Sequence, residues 1–325
     1  MKAIVQDKFG SPDDVLELKE IDKPLFKEDE VLVRIHAPSI HIGDVYTIRG
    51  LPKVMRPVFS AVEAKSGIPG TDVAGTVEAV GKNVTQLKPG DEVFGWCKGA
   101  FAEYVSTSEE ALALKPANLT FEHAAAIGVS AFTALQALRD RGSVEAGQKV
   151  LITGASGGVG TFAVQIAKSL GAEVTGVCST RNMDMVRSIG ADHVIDYTQE
   201  DFTQNAERYD LILDNIGNHS LSDTRRALTP NGTLLANGTS ISGWFGGLGH
   251  VLKAMIVSLF VSQQGRPFVS FPTKEDLTTL KELAEAGKIR PVIDRTYPLN
   301  ETPEAIGHVA EGHAQGTTLI AIEAA

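Results

Sequence analysis

Short runs in which apolar and polar positions alternate fill the first third of the chain: KAIVQ, VLELKEI, EVLVRIHA, DVAGTVEAVG, DEVFGW and AFAEYV, separated by Pro, Gly and Asp turns. A period of two places every second side chain on one face, so Met1 to about Lys115 is predicted to be β-dominated. Pro69-Gly70 and Pro89-Gly90 read as turns, and Leu51 to Lys65 as a longer, partly apolar excursion between elements. Beyond Pro116 the pattern changes. A helix is predicted over Phe121 to Arg141, then strand KVLITGA, helix GVGTFAVQIAKSLG, strand EVTGVCS, helix RNMDMVRSIG, strands HVIDY and YDLILDNI, helix SLSDTRRAL and strand GTLLANGT. Strands separated by helices imply right-handed crossovers and a doubly wound parallel sheet. The tail reads as a helix over Thr273 to Gly287, the segment PVIDRTYPL, a helix beginning near Thr302 and a final strand TTLIAI. Its last pieces match the first part in character. The predicted fold class is therefore α/β: a β-rich domain over residues 1–120, completed by 289–325, with the parallel-sheet domain over 121–288 inserted in it.

Length and composition leave that picture intact and narrow the chemistry. The 325 residues, 43% hydrophobic and 22% charged, carry enough apolar surface for two folded domains. A net charge of −10 disfavours nucleic acid and anionic membrane as partners, since both demand excess Lys and Arg. Cys97 and Cys178 are too few for a disulfide framework or a four-cysteine zinc lobe, and they suit the reducing cytoplasm. The first ten residues, MKAIVQDKFG, lack the apolar core of a signal peptide, and the longest apolar run, Ile256 to Val261, is far below a membrane span.

The segment that carries chemistry is Gly154-Ala155-Ser156-Gly157-Gly158-Val159-Gly160, which directly follows an apolar strand and opens an amphipathic helix. A glycine at 157 admits a pyrophosphate to the backbone, a glycine at 160 allows the helix to approach the strand, and the unpaired N–H groups of the helix start attract phosphate. At the end of the next strand an NAD site carries Asp or Glu for the ribose hydroxyls. Here the sequence is Val177-Cys178-Ser179-Thr180-Arg181-Asn182, with no acid, whereas Ser179 and Arg181 offer a hydrogen bond and a charge to a 2′-phosphate. NADP(H) is the expected cofactor.

At this point the chain resembles the medium-chain dehydrogenase/reductase superfamily, specifically its zinc-independent quinone-oxidoreductase-like branch, along nearly its whole length. The resemblance rests on HIGDVYTIRG, PGTDVAGTVEAVGKNVTQLKPGDEVFGW, AFAEYV, AAIGVSAFTAL, TGASGGVGTFAVQIAKSLGAEV and SIGADHVIDY. It implies a GroES-like catalytic domain beside a Rossmann domain, hydride transfer from a nicotinamide, and a homodimer. By position, the family's phosphate and nicotinamide contacts fall on Ser130, Ser156, Gly157, Gly158, Val159, Ser179, Arg181, Tyr197, Asn215 and Gly238.

Zinc-dependent members of that superfamily place a Cys three residues before an Asp, then a Gly-His-Glu, then a further Cys or Asp. The matching places here hold His41 before Asp44, Gly70-Thr71-Asp72, and Val129, an incomplete ligand set for a metal that needs three protein ligands. Without a metal a developing oxyanion must be met by side-chain donors or water, and Tyr46 and His41 are the candidate catalytic residues. Tyr46 matches the branch; His41 departs from its usual asparagine. Asp44 reads better as a helix-start residue than as an acid catalyst. The expected activity is NADPH-dependent reduction of a quinone or conjugated carbonyl. The alternatives are alcohol/carbonyl oxidoreduction and a nucleotide-binding structural or regulatory protein with little turnover. A dimer contact is expected along Arg266 to Pro272, and Gly243 to Gly247 with Val251 to Val261 is expected to form a substrate wall, a subunit contact or a buried helix.

Overall fold

The computed structural model describes residues 1–51, 53, 56, 67–237, 264–267 and 270–322. The chain divides into two compact units, one formed by Met1–Phe132 with Pro272–Ala325 and the other by Thr133–Phe271.

In the first unit, β1 (Lys2–Gln6) and β2 (Leu16–Glu20) form a separate antiparallel pair. The long strand β3 (Glu30–Ile40) is followed by helix α1 (Ile42–Arg49), then by β4 (Asp72–Val80), β5 (Glu92–Trp96), β6 (Tyr104–Ser108) and β7 (Leu112–Leu114). Helix α2 (Gly128–Leu135) leads out of this unit. In the second unit, β8 (Lys149–Thr153), α3 (Gly158–Ser169), β9 (Glu173–Cys178), β10 (His193–Asp196), β11 (Tyr209–Asp214), β12 (Leu228–Ala236) and β13 (Gln264–Pro267) follow in order. The chain then returns to the first unit through α4 (Lys274–Glu285), β14 (Ile293–Pro298), α5 (Thr302–Ala310) and β15 (Thr317–Ala321).

The returning strands complete a seven-stranded sheet of order β14-β15-β3-β4-β5-β7, with β6 pairing on β3. Its centre, β3, reaches β4, β6 and β15 because every one of its ladders is antiparallel and the strand shifts register twice, between Leu32/Val33 and Ile35/Ala37. Val45 and Ile48 on the inner face of α1 join Ile4, Phe101, Ile306 and Ile320 in one apolar cluster, so the helix that starts at His41 rests on both ends of the chain. Gly50, at φ +61°, stops α1 in the left-handed conformation that glycine adopts without strain.

The second unit is a six-stranded sheet of order β10-β9-β8-β11-β12-β13 in which every pair is parallel. The order reverses beside β8, and the carboxyl ends of β8, β9 and β11 surround that switch point. The α/β class expected from the sequence is thus observed, with a GroES-like β domain and a Rossmann-like parallel sheet.

One helix differs from its expected form. The periodic stretch Phe121 to Arg141 is divided into a short helix Phe121–Ala126, helix α2, and a π-helical turn Gln136–Arg141. The break has a tertiary cause: the carboxylate of Asp72 occupies the place of a Cβ on Gly128, 2.0 to 2.4 Å from it, and accepts the Val129 N–H at the head of α2.

Candidate active site

In the Rossmann-like unit the glycines of the turn have separate tasks. Gly154 lies at φ +61° and turns the chain out of β8. A Cβ on Gly160 would sit 2.0 Å from the Gly154 carbonyl oxygen, so only glycine lets α3 pack this closely against the turn. A Cβ on Gly157 would meet nothing nearer than the Gly154 oxygen at 3.5 Å. The backbone at 157 is therefore open to an approaching group, and the first turn of α3 has no side-chain cap. These features fit a dinucleotide pyrophosphate.

Asn182 ties this turn to the next one: its Nδ2 donates to Ser156 Oγ at 2.9 Å, and both side chains are buried. Ser179 follows β9 and precedes the turn Thr180–Asn182, and Arg181 is exposed on that turn. Tyr197, just past β10, is 56% exposed, which leaves its ring available for stacking. Asp196 is not a ribose ligand in waiting, since its oxygens accept the Thr180 hydroxyl and the Thr198 N–H and hydroxyl.

At the ends of β8, β11 and β12 lies a polar network that sequence reasoning largely missed. The buried Thr153 Oγ1 donates to Asp214 Oδ1 at 2.7 Å and accepts the Asn215 N–H at 2.9 Å. The Asn215 side chain donates to the Thr153 carbonyl and accepts from Asn237 Nδ2 at 2.7 Å. The Asn215 amide thus locks adjacent strand ends together. Gly238, the Gly243–Gly247 and Val251–Val261 segments and nearly all of Leu51–Lys65 lie outside the described residues, as do two positions of the expected 266–272 edge.

In the GroES-like unit the candidate residues gather at the joint between β3, α1 and β4. His41 caps α1 reciprocally with Asp44: the Gly43 N–H donates to His41 Nδ1 at 3.0 Å, and the His41 N–H donates to Asp44 Oδ2 at 2.9 Å. The expectation that Asp44 is a helix-start residue holds. His41 Nε2 lies 2.7 Å from Thr71 Oγ1 and 3.5 Å from Asp44 Oδ2. Asp72, at the start of β4, accepts from Ser39 Oγ at 2.9 Å and from the Val129 N–H at 3.0 Å on both oxygens. Tyr46 is half-buried beside the apolar cluster under α1, and Ser130 is buried in α2.

Burial governs the electrostatics of this joint. It pushes the Asp44 carboxyl up to about 7 and that of Asp72 to about 6, while hydrogen bonds to the charged forms partly oppose it. The same desolvation holds His41 below the ordinary imidazole range and raises the Tyr46 phenol and the Cys97 thiol. His41 is accordingly a neutral ring near pH 7.

These donors do not fit a zinc ion. Both ring nitrogens of His41 are engaged, both Asp72 oxygens face the Val129 amide, and Thr71 and Val129 supply no anionic ligand. Among the described residues no three His, Cys, Asp or Glu side chains are grouped to hold a metal.

Two family models match the chain: an alcohol dehydrogenase GroES-like domain over residues 27–117 and a zinc-binding dehydrogenase domain over 189–320. The mitochondrial NAD(P)H oxidoreductase RTN4IP1 of Danio rerio is 33% identical, covering 99% of this chain and 91% of that protein. A quinone oxidoreductase of Sus scrofa is 32% identical over 98% of this chain and 96% of its own length. The chain belongs to the medium-chain dehydrogenase/reductase superfamily, in its quinone-oxidoreductase-like branch. Among solved structures, the Escherichia coli quinone oxidoreductase complexed with NADPH superimposes with a TM-score of 0.84 at 25% identity, over 99% of this chain and all of that one.

Proposed function

We propose that this protein is an NADPH-dependent oxidoreductase that delivers hydride to a quinone or a conjugated carbonyl without a catalytic zinc. The observation that carries the reading is the open glycine turn at 154–160 followed by Ser179 and Arg181, with no free acid at the end of β9. NADPH is named in the Escherichia coli relative's complex, and both that relative and the Sus scrofa protein are named quinone oxidoreductases.

In this reading Gly157, Gly158 and Val159 hold the pyrophosphate through backbone amides. Ser156 is held by Asn182, and Ser179 and Arg181 take the 2′-phosphate. Tyr197 stacks at the adenine end, and Ser130, Asn215 and Gly238 serve the nicotinamide end. Bound NADPH supplies the hydride, and the protein's part is to orient it and to stabilise charge on the substrate oxygen. Tyr46 serves that oxygen as a neutral donor, and His41, a neutral ring whose two nitrogens are taken up by Gly43 and Thr71, supports the site, which suffices for a substrate that is already electrophilic.

The protein acts, on this proposal, as a cytoplasmic homodimer. Both cysteines are free and buried, and β13 ends the parallel sheet with an outer edge that pairs with no strand among the described residues. No helix among those residues is long and apolar enough to cross a membrane.

The test is NADPH oxidation measured against quinones, enones, aldehydes and ketones, before and after exhaustive chelation. Turnover of quinones or enones that survives chelation is expected. Tight NADPH binding with no turnover of any acceptor, or activity lost on chelation and restored by zinc, overturns the reading.

A further inference from the structure

We propose that Thr71 is the hydrogen-bond donor to the substrate's carbonyl oxygen, and that His41 acts through it as a positioning residue. This deepens the proposed function and rests on it for the identity of the substrate.

The protons at the His41 ring are fixed by its partners. The Gly43 N–H points at Nδ1 at 3.0 Å, so Nδ1 is the acceptor and carries no proton. A ring kept neutral by burial then carries its single proton on Nε2. That nitrogen lies 2.7 Å from Thr71 Oγ1, which must accept. The hydroxyl's own proton is not spent on the imidazole, and it turns away from the ring to meet another acceptor.

Nothing in this chain of donors is left loose. The ring lies over Gly43, where a Cβ would fall 2.7 Å from His41 Cε1 and 2.8 Å from Nδ1, so a residue with a side chain would expel it. The Thr71 backbone is fixed because its carbonyl accepts the Cys97 N–H at 2.7 Å. His41 is 13% exposed and Thr71 is likewise only partly buried, so neither side chain is sealed inside its unit. A neutral, pre-oriented donor of this kind stabilises an oxygen on which charge develops without costing reorganisation at that moment. The ionisable groups facing His41 are Asp44 from its own helix and Asp72 from β4, with Cys97 beside both carboxylates.

Two measurements test this. Long-range proton–nitrogen NMR on labelled protein reads the His41 tautomer directly; a protonated Nε2 and bare Nδ1 at pH 7 are expected, and a protonated Nδ1 overturns the proposal. The second measurement is the affinity of 4-nitrophenolate, an oxyanion probe, for the complex with NADP+. Loss of a hydrogen bond to a charged group predicts about 10- to 100-fold weaker probe binding in Thr71→Val, and restoration to within about 3-fold in Thr71→Ser. His41→Phe should weaken the probe to a similar degree, and the NADP+ dissociation constant should stay the same in all three. Equal probe binding by wild type and Thr71→Val, or loss of NADP+ affinity in parallel with probe affinity, overturns the proposal. With enone as substrate, Thr71→Val should lower kcat and leave the KM for NADPH unchanged. If wild type binds the probe through Thr71 and yet reduces neither quinones nor enones, the donor assignment stands and the proposed activity falls.

Discussion

Replacing Asp72 by Asn should stabilise the protein at alkaline pH and leave it unchanged in acid. Asp72 is 1% exposed, and burial raises its carboxyl from the ordinary 3.8 to about 6. The native state therefore holds this proton more tightly than the unfolded chain does. The stability linked to it is complete below pH 3.8, declines as pH rises through about 6, and is gone above. At about 1.4 kcal/mol per pH unit, the interval from 3.8 to about 6 is worth about 3 kcal/mol. Asparagine has the same shape and no proton to lose. Its carbonyl can accept the Val129 N–H, and its amide can donate to Ser39 Oγ once that hydroxyl turns round. The nearby Asp44, itself raised to about 7, is relieved of a like charge in the same substitution, which acts in the same direction. The assay is urea unfolding of wild type and Asp72→Asn at pH 4, 6 and 8 in a Trp244→Phe background. There the remaining tryptophan, Trp96, is the β5 partner of Asp72 in the β4–β5 ladder and reports on this joint. The difference in unfolding free energy should grow from near zero to about 3 kcal/mol in favour of Asn. A difference that does not change with pH, or a variant less stable at pH 8, refutes the idea that this carboxylate is a buried charge held against its preference.

Two glycines of the Rossmann turn should separate folding from binding. Gly160→Ala, whose Cβ would lie 2.0 Å from the Gly154 oxygen, should lower Tm and weaken NADPH together, whereas Gly157→Ala, with 3.5 Å of room, should keep Tm and still weaken NADPH about 10-fold or more. Calorimetry with a cofactor titration distinguishes the two, and equal effects of both substitutions would count against the separate roles. Arg181→Ala should weaken NADPH about 10- to 100-fold and leave NADH unaffected, and Ser179→Asp should favour NADH further, both read by fluorescence titration. Light scattering at micromolar concentration should give twice the 34.6 kDa chain mass, and a monomer mass would exclude the dimer.

The fold was legible because its two halves carry different periodicities. Alternating residues such as those of EVLVRIHA announce a sheet with unlike faces, and the apolar strands KVLIT and YDLILD, spaced by helical segments, announce parallel strands buried on both sides. What escaped is what depends on contacts between distant positions. AAIGVSAFTAL is apolar on either side of Gly128 and contains no local stop signal, yet a carboxylate 57 residues before Val129 in sequence starts a new helix there. Thr153, Asp214 and Asn237 close a hydrogen-bond network only because β8, β11 and β12 are neighbours in the sheet, an adjacency that follows from strand order and not from any motif. Thr71 stands in Gly70-Thr71-Asp72, where the triplet's place in the zinc-ligand pattern draws attention to Asp72 and not to the neighbouring hydroxyl. The cue that was available is His41 followed by Gly43, a histidine at a helix start with room for its ring to fold over the next turn.

The same joint narrows the substrate class. On the proposed role of Thr71, a carbonyl oxygen beside it would gather negative charge as hydride reaches the substrate, and the like charge acting on Asp72 is that of Asp44. With His41 neutral, the described residues of this joint offer dipoles to that oxygen, and the two carboxyls oppose it to the extent that they are ionised. Burial lessens the opposition by keeping part of the Asp44 population protonated near pH 7. An isolated ketone needs strong polarisation before it accepts hydride, and such a site gives little. A quinone or an enone spreads the incoming charge over its own conjugated system, so one or two neutral hydrogen bonds are enough. If Thr71 is the donor, the arrangement of His41, Thr71, Asp44 and Asp72 therefore favours conjugated acceptors over simple ketones.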